Sequence, residues 1–278
     1  LSYTIKDLCT LTFRIFKFLN LHPALGIKDE ILQGLIHEIA DNYNVVPYHH
    51  FTHGFSVFQI LFVLLQKANV KSWINGDELF ISLLSALAHD LNHRAVNNGW
   101  HIKEKSDSAT TFAESAVLEN FHIATFFRIM KERPEFAIFD SVKNPATKND
   151  LKRMLVTNIL ATDMTKHARA TAKFTRRLKF TNEYNGKIAA GMEIGGALRD
   201  NAFLQERYED RRYIANTLIH ACDIGNPCLP FDLYYGWGFL ITQEFDSQTI
   251  KEEKHGLEVT GFLKCKSKET FLNSQMFF

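Results

Sequence analysis

Residues 75–93 of this 278-residue chain read NGDELFISLLSALAHDLNH. The Asn-Gly-Asp triplet at 75–77 is a turn and helix N-cap signal, and the apolar residues that follow recur at the three- and four-residue spacing of one helix face. The segment ends on His89 and Asp90. A charged carboxylate at the edge of so apolar a helix needs a partner or a metal ion. The stretch therefore predicts a core helix whose end carries a polar or metal site.

Helical periodicity recurs along the chain and decides the fold class. Apolar stripes predict further helices at 29–42, 150–167, 211–223 and 233–248. Alternating strand patterns between hairpin turns are scarce, and the six prolines lie mostly between the predicted helices. Residues 173–201 form the least regular stretch. Because no linker or repeat divides the sequence, we expect one all-α, compact multi-helix domain over residues 1–278.

Charge and composition exclude several classes of function. Lys and Arg number 32 against 31 Asp and Glu, a formal net charge of +1, which argues against a chain built to coat nucleic acid or an anionic membrane. Aromatic platforms do not alternate with the basic run at 166–179, so a solvated helix face is favoured there over a nucleic-acid contact. The most apolar run, 55–65, is shorter than the roughly 20 residues that span a bilayer, so we expect no transmembrane segment in this sequence.

The four cysteines bear on the redox state of the compartment in which the protein occurs. They form no C-x-x-C pair and are too sparse for a disulfide framework, which favours a reducing environment. We therefore expect a cytoplasmic protein. Any membrane association of a longer parent protein would come from segments outside this chain.

Further histidines and aspartates complete a candidate metal site. His49 and His53 are four residues apart, so a helix places both imidazoles on one face, where both could bind a metal or one could work beside it. Asp223 ends another amphipathic helix and could, taken alone, equally be a capping carboxylate. Imidazole and carboxylate donors suit zinc, and a carboxylate can bridge to a harder second ion. The pattern H…HD…D is formed, in chain order, by His53, His89, Asp90 and Asp223. This pattern resembles the ligand set of HD-type metal-dependent phosphohydrolases.

Six short motifs occur in the order of those of one enzyme family. Residues 48–53 resemble Y-H-N-x-x-H, residues 89–98 resemble H-D-x-x-H-x-G-x-x-N, and residues 160–167 resemble L-A-T-D-M-S-x-H. A short acidic motif, the last metal motif and an S-Q-x-x-F element have counterparts at 117–120, 220–227 and 274–278. The sequence thus resembles the catalytic domain of class I 3′,5′-cyclic-nucleotide phosphodiesterases, an all-α fold with metals between helices.

The resemblance implies a role for each matching side chain. Zinc would be held by His53, His89, Asp90 and Asp223, and Asp90 would also bridge to a second ion, Mg²⁺ or Mn²⁺. His49 would protonate the leaving O3′. The side chains expected to orient metal ligands and bound water are Glu119, Thr162, Asp163 and His93. The expected nucleotide-binding residues are Tyr48, Asn226, Ile241, Phe245, Gln275 and Phe278.

The implied reaction is metal-dependent hydrolysis of cAMP, cGMP or both to nucleoside 5′-monophosphates. Gln275 would hydrogen-bond the purine edge while Ile241 and Phe278 sandwich the ring, and Asn226 favours cAMP. Two alternatives stay open: another HD-type phosphohydrolase such as a nucleotidase, and a non-catalytic cyclic-nucleotide sensor or scaffold. His49 counts against the sensor, because binding alone needs no proton donor. A homodimer is compatible with the sequence, through regions that it does not identify.

The sequence departs from the family pattern at several positions. His50 replaces the usual Asn, Ala95 replaces a common Gly, and residues 276–277 are Met-Phe where the family often has Val-Gly. The region between 163 and 223 is long, which suggests an insertion around 173–201. The family's last helices usually continue beyond the position of Phe278, so we expect a domain that is truncated at its C-terminal end.

Overall fold

Helices make up the regular structure of the chain. The computed structural model describes residues 3–68 and 72–264, and those residues contain no strand, which confirms the all-α prediction. The α-helices are α1 (Ile5–Leu19), α2 (Asp29–Asp41), α3 (Phe51–Lys67), α4 (Gly76–Ala88), α5 (Asn98–Lys103), α6 (Asp107–Thr111), α7 (Val117–Glu132), α8 (Ile138–Ser141), α9 (Pro145–Leu160), α10 (His167–Ala189), α11 (Gly196–Asn201), α12 (Tyr208–Asp223) and α13 (Phe231–Lys254). Short 3₁₀-helices lie at His22–Leu25, Pro134–Phe136, Met164–Lys166, Asn226–Cys228 and Gly261–Leu263. No helix in this part of the chain is long and apolar enough to cross a membrane.

The predicted core helix is α4, and it lies at the centre of the packing. Asn75 caps it by accepting a hydrogen bond from the Glu78 amide at 2.9 Å. Every residue from Glu78 to Ala88 is buried, and the helix packs against α3, α9 and α12. Ser82 and Ser85 tolerate this burial because their hydroxyls donate to carbonyls one turn earlier, at 2.7 and 2.6 Å. The end of α4 therefore delivers its histidine–aspartate pair to the interior.

The other predicted helices exist, with one boundary corrected. The predictions at 29–42, 211–223 and 233–248 are confirmed by α2, α12 and α13, the last of which extends further at both ends. A continuous helix over 150–167 is wrong, because α9 runs from Pro145 to Leu160 and a turn follows. The reason is local: the Asp163 carboxylate accepts a hydrogen bond from the Thr165 amide at 3.0 Å and caps a 3₁₀ turn instead.

Residues 173–201 are more regular than the sequence predicted. Most of them belong to α10 and α11. Thr181 is the one buried residue of α10, and apolar side chains of this helix such as Leu178 and Ile188 stay exposed. The helix is rich in helix-favouring Ala, Lys and Arg. The basic run at 166–179 lies on its first half. There Arg177 pairs with Asp210 at 2.6 Å, whereas Arg169 is exposed.

Candidate active site

Four side chains that could hold a metal ion meet where three helices begin or end. His53 lies in the first turn of α3, His89 and Asp90 follow α4, and Asp223 is the last residue of α12. Because α4 packs against both α3 and α12, one ligand atom from each residue lies within 4.8 Å of the others. Asp223 Oδ1 is 3.0 Å from His53 Nε2 and 3.1 Å from His89 Nε2. Asp90 Oδ2 is 3.0 Å from His89 Nε2. The H…HD…D pattern therefore corresponds to one cluster.

This donor set fits a divalent metal ion. Two imidazoles and two carboxylates are donors that zinc accepts, and a carboxylate oxygen can also reach a harder ion. His89 Nδ1 donates to the Ala86 carbonyl at 2.8 Å, which leaves Nε2 as the nitrogen that faces the cluster. Such a bond to the rear nitrogen orients a metal-binding imidazole before the ion arrives.

The electrostatics of the cluster also favour a cation. Burial alone would lower the pKa of His89, but Asp90 and Asp223 outweigh burial and raise it well above its ordinary value. Burial alone would raise the pKa of Asp223, yet His89 and His53 hold it below its usual range. The carboxylates thus stay ionised and attract positive charge. A metal ion would compete with the imidazole proton for the same donors.

The buried carboxylate of Glu244 holds His49, the predicted proton donor. His49 Nδ1 is hydrogen-bonded to Glu244 Oε1 of α13. The other carboxylate oxygen accepts from the backbone amides of Tyr48 and His49, at 3.0 and 3.1 Å. With Nδ1 donating to the carboxylate, Nε2 is the nitrogen that can pass a proton to a ligand. Burial alone would lower the pKa of His49, but Glu244 and Asp90 outweigh it and the pKa is raised. The charged form, which a general acid requires, is therefore favoured.

His93 supports the ring of His49. The two imidazoles are stacked with their centroids 4.0 Å apart. His93 Nδ1 accepts a hydrogen bond from the Ala95 amide at 3.1 Å. Burial and then the charge of His49 hold the pKa of His93 well below its ordinary value. A neutral His93 can therefore lie against a protonated His49 without charge repulsion.

Two side chains of α7 line the cavity beside Asp90. Asn98 Nδ2 donates to Glu119 Oε2 at 3.1 Å, and burial raises the pKa of Glu119 to about 7. His122 Nδ1 donates to the Leu91 carbonyl at 2.6 Å, which leaves its Nε2 3.6 Å from Asp90 Oδ1. Burial lowers the pKa of His122 to about 4, so its ring is neutral near pH 7. Both side chains offer hydrogen-bonding groups near the carboxylate that would bridge two ions.

Thr162 and Asp163 line the same cavity, but their polar atoms are bonded locally. The Thr162 hydroxyl donates to the Ile159 carbonyl at 2.8 Å. Asp163 Oδ1 accepts from the Thr165 hydroxyl at 2.6 Å, and its Oδ2 pairs with Lys166 at 2.9 Å. Their role in orienting metal ligands therefore stays a prediction.

One cavity of about 530 Å³ joins these groups. A cavity of that size suits a nucleotide-sized ligand. Asn226 Nδ2 is hydrogen-bonded to the Tyr48 hydroxyl at its wall. The expected nucleotide-binding residues that line it are Tyr48, Asn226, Ile241 and Phe245. The other two, Gln275 and Phe278, lie outside the described residues.

The sequence interpretation missed three residues of the site. Glu244 and Trp237 line the cavity from α13, although the sequence places Trp237 on an ordinary apolar helix face. His122 lies one helical turn after Glu119 on α7. Spacing contained a signal for one of them, because His122 shares a helix face with Glu119.

Two departures from the family pattern have local consequences. His50 is the N-cap of α3, and its Nδ1 accepts from the Thr52 amide at 3.1 Å, so it does the work of a capping asparagine. Ala95 has a φ of 57°, in the left-handed region that favours glycine. His50 thus keeps the cap, whereas Ala95 introduces backbone strain beside the cavity.

Residues 48–278 match the family described as 3′5′-cyclic nucleotide phosphodiesterase. The chain belongs to the 3′,5′-cyclic-nucleotide phosphodiesterase family.

Curated relatives carry different substrates in their names. The chain is 30% identical over 265 residues to the high affinity cGMP-specific 3′,5′-cyclic phosphodiesterase 9A of Drosophila melanogaster, covering 94% of this chain and 16% of that protein. It is 30% identical over 270 residues to the 3′,5′-cyclic-nucleotide phosphodiesterase regA of Dictyostelium discoideum, covering 97% and 31%. It is 28% identical to the 3′,5′-cyclic-AMP phosphodiesterase 4C of Mus musculus, covering 92% and 35%. The chain thus spans well under half the length of these relatives.

Solved structures share the fold. The phosphodiesterase domain of the RhoPDE fusion protein from the choanoflagellate Salpingoeca rosetta superposes with a TM-score of 0.83 at 24% identity, covering 98% of this chain and 80% of that one. The structure of LmjPDEB1 in complex with IBMX gives a TM-score of 0.81 at 27% identity, covering 96% and 74%.

Proposed function

We propose that this chain hydrolyses 3′,5′-cyclic nucleotides to nucleoside 5′-monophosphates with two divalent metal ions. One observation carries the proposal: Asp90 and Asp223 of the ligand cluster line the same cavity as His49, whose rear nitrogen is held by Glu244. A metal cluster alone would suit many phosphohydrolases or a structural site. A cluster that shares a cavity with an oriented imidazole, whose pKa is raised by Glu244 and Asp90, suits cleavage of a phosphoester with a poor leaving group.

Zn²⁺ would be held by His53, His89, Asp90 and Asp223, and Asp90 would also hold Mg²⁺ or Mn²⁺. When bound, these ions would neutralise phosphate charge and supply hydroxide near neutral pH for attack on phosphorus. Asp90 can serve two ions because His89 and His122 face different oxygens of its carboxylate, Oδ2 at 3.0 Å and Oδ1 at 3.6 Å. Glu119 would accept or donate a hydrogen bond beside the second ion, since its pKa is about 7.

His49 would complete the reaction at the leaving oxygen. Attack on phosphorus breaks the P–O3′ bond, and the departing O3′ alkoxide must take up a proton. His49 Nε2 would donate that proton, while Nδ1 stays bonded to Glu244, which stabilises the imidazolium before the transfer. Stacking on His93 limits rotation of the ring about its side-chain bonds.

We further propose a preference for cAMP. Asn226 donates its Nδ2 to Tyr48, which leaves its carbonyl oxygen as the group available to a ligand. An acceptor complements the 6-amino group of adenine and opposes the 6-carbonyl of guanine. The relatives' names include both cyclic nucleotides, so the assignment rests on this hydrogen bond alone.

One assay tests the reaction class. The purified chain is incubated with cAMP, cGMP, a nucleoside 5′-monophosphate and a non-cyclic phosphodiester, with Zn²⁺ and Mg²⁺ or with chelator. We expect hydrolysis of a cyclic nucleotide that chelator abolishes. Turnover of the 5′-monophosphate without turnover of either cyclic nucleotide would assign a nucleotidase, and binding of a cyclic nucleotide without hydrolysis would assign a sensor.

A matched pair of variants tests the proton donor. His49→Ala should reduce kcat for cyclic nucleotide by about 10²- to 10⁴-fold while metal content stays unchanged. His37→Ala, on α2 and away from the cavity lining, is the control and should keep full turnover. Equal kcat in both variants would remove His49 from the mechanism.

A further inference from the structure

The chain returns to the cavity after α13 as a strap, defined here as residues 255–264. The strap begins at the C-cap of α13 and contains the 3₁₀-helix Gly261–Leu263. Phe262 and Leu263 line the cavity. The position of the strap relative to α13 therefore sets one part of the cavity wall.

A single buried carboxylate fastens the strap to α13. Glu252 is fully buried, with 0% of its surface exposed. Its Oε2 accepts a hydrogen bond from the Thr260 amide at 2.7 Å, and its Oε1 accepts from the Thr260 hydroxyl at 2.7 Å. The Thr260 carbonyl in turn accepts a hydrogen bond from the Leu263 backbone amide at 3.0 Å. The bonds to Glu252 are thus one short turn away from the cavity-lining residues of the strap.

The same carboxylate is joined to the opposite wall of the cavity. Gln248 Nε2 donates to Glu252 Oε1 at 3.0 Å and to Asn97 Oδ1 at 3.1 Å. Gln248 Oε1 accepts from the Asn97 amide at 2.8 Å. Asn97 and Gln248 both line the cavity, and Asn97 caps α5. A continuous set of hydrogen bonds therefore runs from the α5 cap through α13 to the strap.

A lysine from α5 supplies the counter-charge. Lys103 Nζ is 3.6 Å from Glu252 Oε1. It also donates to the Thr260 hydroxyl at 2.8 Å and to the Glu258 carbonyl at 2.6 Å. Every partner of Glu252 in this group is a donor, so an ionised carboxylate with two acceptor oxygens matches the site and a neutral amide does not.

Burying a charged carboxylate costs free energy, and apolar contacts alone can hold a turn in place. The buried charge of Glu252 is therefore not needed merely to hold the strap. Among the described residues, Glu252 does not line the cavity. Its partner Gln248 does, and its partner Thr260 is in the strap whose Phe262 and Leu263 also line it. A network of this kind specifies geometry more than it adds stability.

We propose that Glu252 is a positioning residue for the nucleotide: it fixes the strap against the Asn97 wall and so sets the affinity for cyclic nucleotide without touching it. This inference rests on the proposed function of the same cavity. The metal cluster and His49 lie outside the network, so affinity and chemistry should respond separately.

Substitution of the carboxylate by an amide tests the inference. Glu252→Gln keeps the shape but directs an amide donor at the donors of Thr260 or Gln248. We expect KM for cyclic nucleotide to rise about tenfold, equivalent to about 1.4 kcal/mol, with kcat changed by less than about threefold. Turnover of bis(p-nitrophenyl) phosphate, which has no purine, and the metal content should stay unchanged. Glu258→Gln, an exposed side chain in the same strap, is the matched control and should leave KM unchanged.

A second variant separates positioning from general destabilisation. Thr260→Val removes the hydroxyl that Glu252 and Lys103 share, and it should raise KM in the same direction. Because both changes break one contact, KM of the double variant should be close to that of Glu252→Gln rather than the product of the two effects. An unchanged KM in Glu252→Gln, or a loss of phosphodiester turnover equal to the loss with cyclic nucleotide, would overturn the inference.

Binding measurements keep this test independent of the proposed reaction. The Kd values for cAMP and cGMP are measured by calorimetry in the His49→Ala background, with and without Glu252→Gln. If the unsubstituted chain binds cyclic nucleotide but does not hydrolyse it, the proposed function alone is contradicted, and a Kd about tenfold weaker with Glu252→Gln would still support the positioning role. A chain that binds neither nucleotide would overturn both.

Discussion

The imidazole Nδ1 of His49 is hydrogen-bonded to the buried carboxylate of Glu244, which lies 195 residues further along the chain. The carboxylate is 3% exposed, and its second oxygen binds the backbone that leads into α3. Burial alone would raise the pKa of Glu244, but His49 outweighs it and lowers that pKa to about 2. The charged form of each group is thus favoured by the other, and the packing of α13 against residues 48–49 makes that possible.

Replacing this carboxylate should change the pH dependence of turnover. Glu244→Gln removes the charge that favours the imidazolium, so the pKa of His49 should fall. Because His49 must be protonated to act as the acid, the alkaline limb of kcat/KM should move to lower pH, and activity near neutral pH should fall about tenfold or more. A full pH–rate profile measures both effects. Gln243→Ala, the exposed neighbour on α13, should reproduce the original profile.

Removal of one carboxylate from the ligand cluster should release metal. Asp223 is within 3.1 Å of both His53 and His89, so Asp223→Ala leaves two imidazoles without their shared partner. Zinc affinity and turnover should each fall by about a hundredfold or more, since changes at even outer partners of metal sites cost 10- to 100-fold. Elemental analysis after gel filtration reports the metal. Asp232→Ala, in the exposed first turn of α13, should retain both metal and turnover, and equal metal content in the two variants would contradict the assigned ligand.

The buried Glu119 should make stability depend on pH in the chelated protein. Its pKa is raised from 4.5 to about 7 by burial, so the folded state binds the proton more tightly than the unfolded state does. Its stabilising contribution is fully present below the unfolded pKa of 4.5 and is lost as pH rises through about 7. The loss is on the order of 3 kcal/mol.

Glu119→Gln should therefore flatten the fall in unfolding free energy between about pH 5 and pH 8, as measured by urea denaturation with chelator present. Glu206→Gln, an exposed carboxylate, is the control and should follow the original curve. A Glu119→Gln curve that falls as steeply as the original would show that Glu119 is ionised throughout this range.

Relief of backbone strain at Ala95 should stabilise the fold. Its φ of 57° disfavours a side chain, and glycine adopts this region without that cost. After allowing for the greater freedom of glycine in the unfolded chain, Ala95→Gly should raise the unfolding free energy by about 0.5–1 kcal/mol. The same change at Ala172, an exposed position in the first half of α10, should lower it by about 1 kcal/mol. We expect changes in unfolding free energy of opposite sign for the two variants, measured by thermal or urea unfolding. A loss of stability in both variants would contradict strain at Ala95.

The fold class was predictable because several helices have a clear local signature in the sequence. Apolar spacing and the Asn75 cap identify α4, and the same spacing identifies α2, α12 and α13. The sequence predicted a solvated helix face over 166–179, which is the first half of α10, but the second half was not recognised as helical, since α10 buries only one residue. The end of α9 was misplaced because the Asp163 side chain competes with the helix for backbone hydrogen bonds.

The sequence by itself determined which side chains could share a metal site. His53, His89, Asp90 and Asp223 each lie at the end of an amphipathic segment, and the ends of packed helices are where polar side chains can meet inside a core. Their order along the chain carries the family resemblance. The tertiary structure brings their ligand atoms within 4.8 Å of one another.

Only the tertiary structure decided the electrostatic partners of that site. Glu244 and Glu252 are ordinary polar letters in a helical pattern, and nothing in local spacing separates a buried carboxylate from a solvated one. Each carboxylate faces a charged partner more than a hundred positions away in the chain, His49 for Glu244 and Lys103 for Glu252. Local sequence sets helices and their ends; the packing of those helices selects which charges face each other.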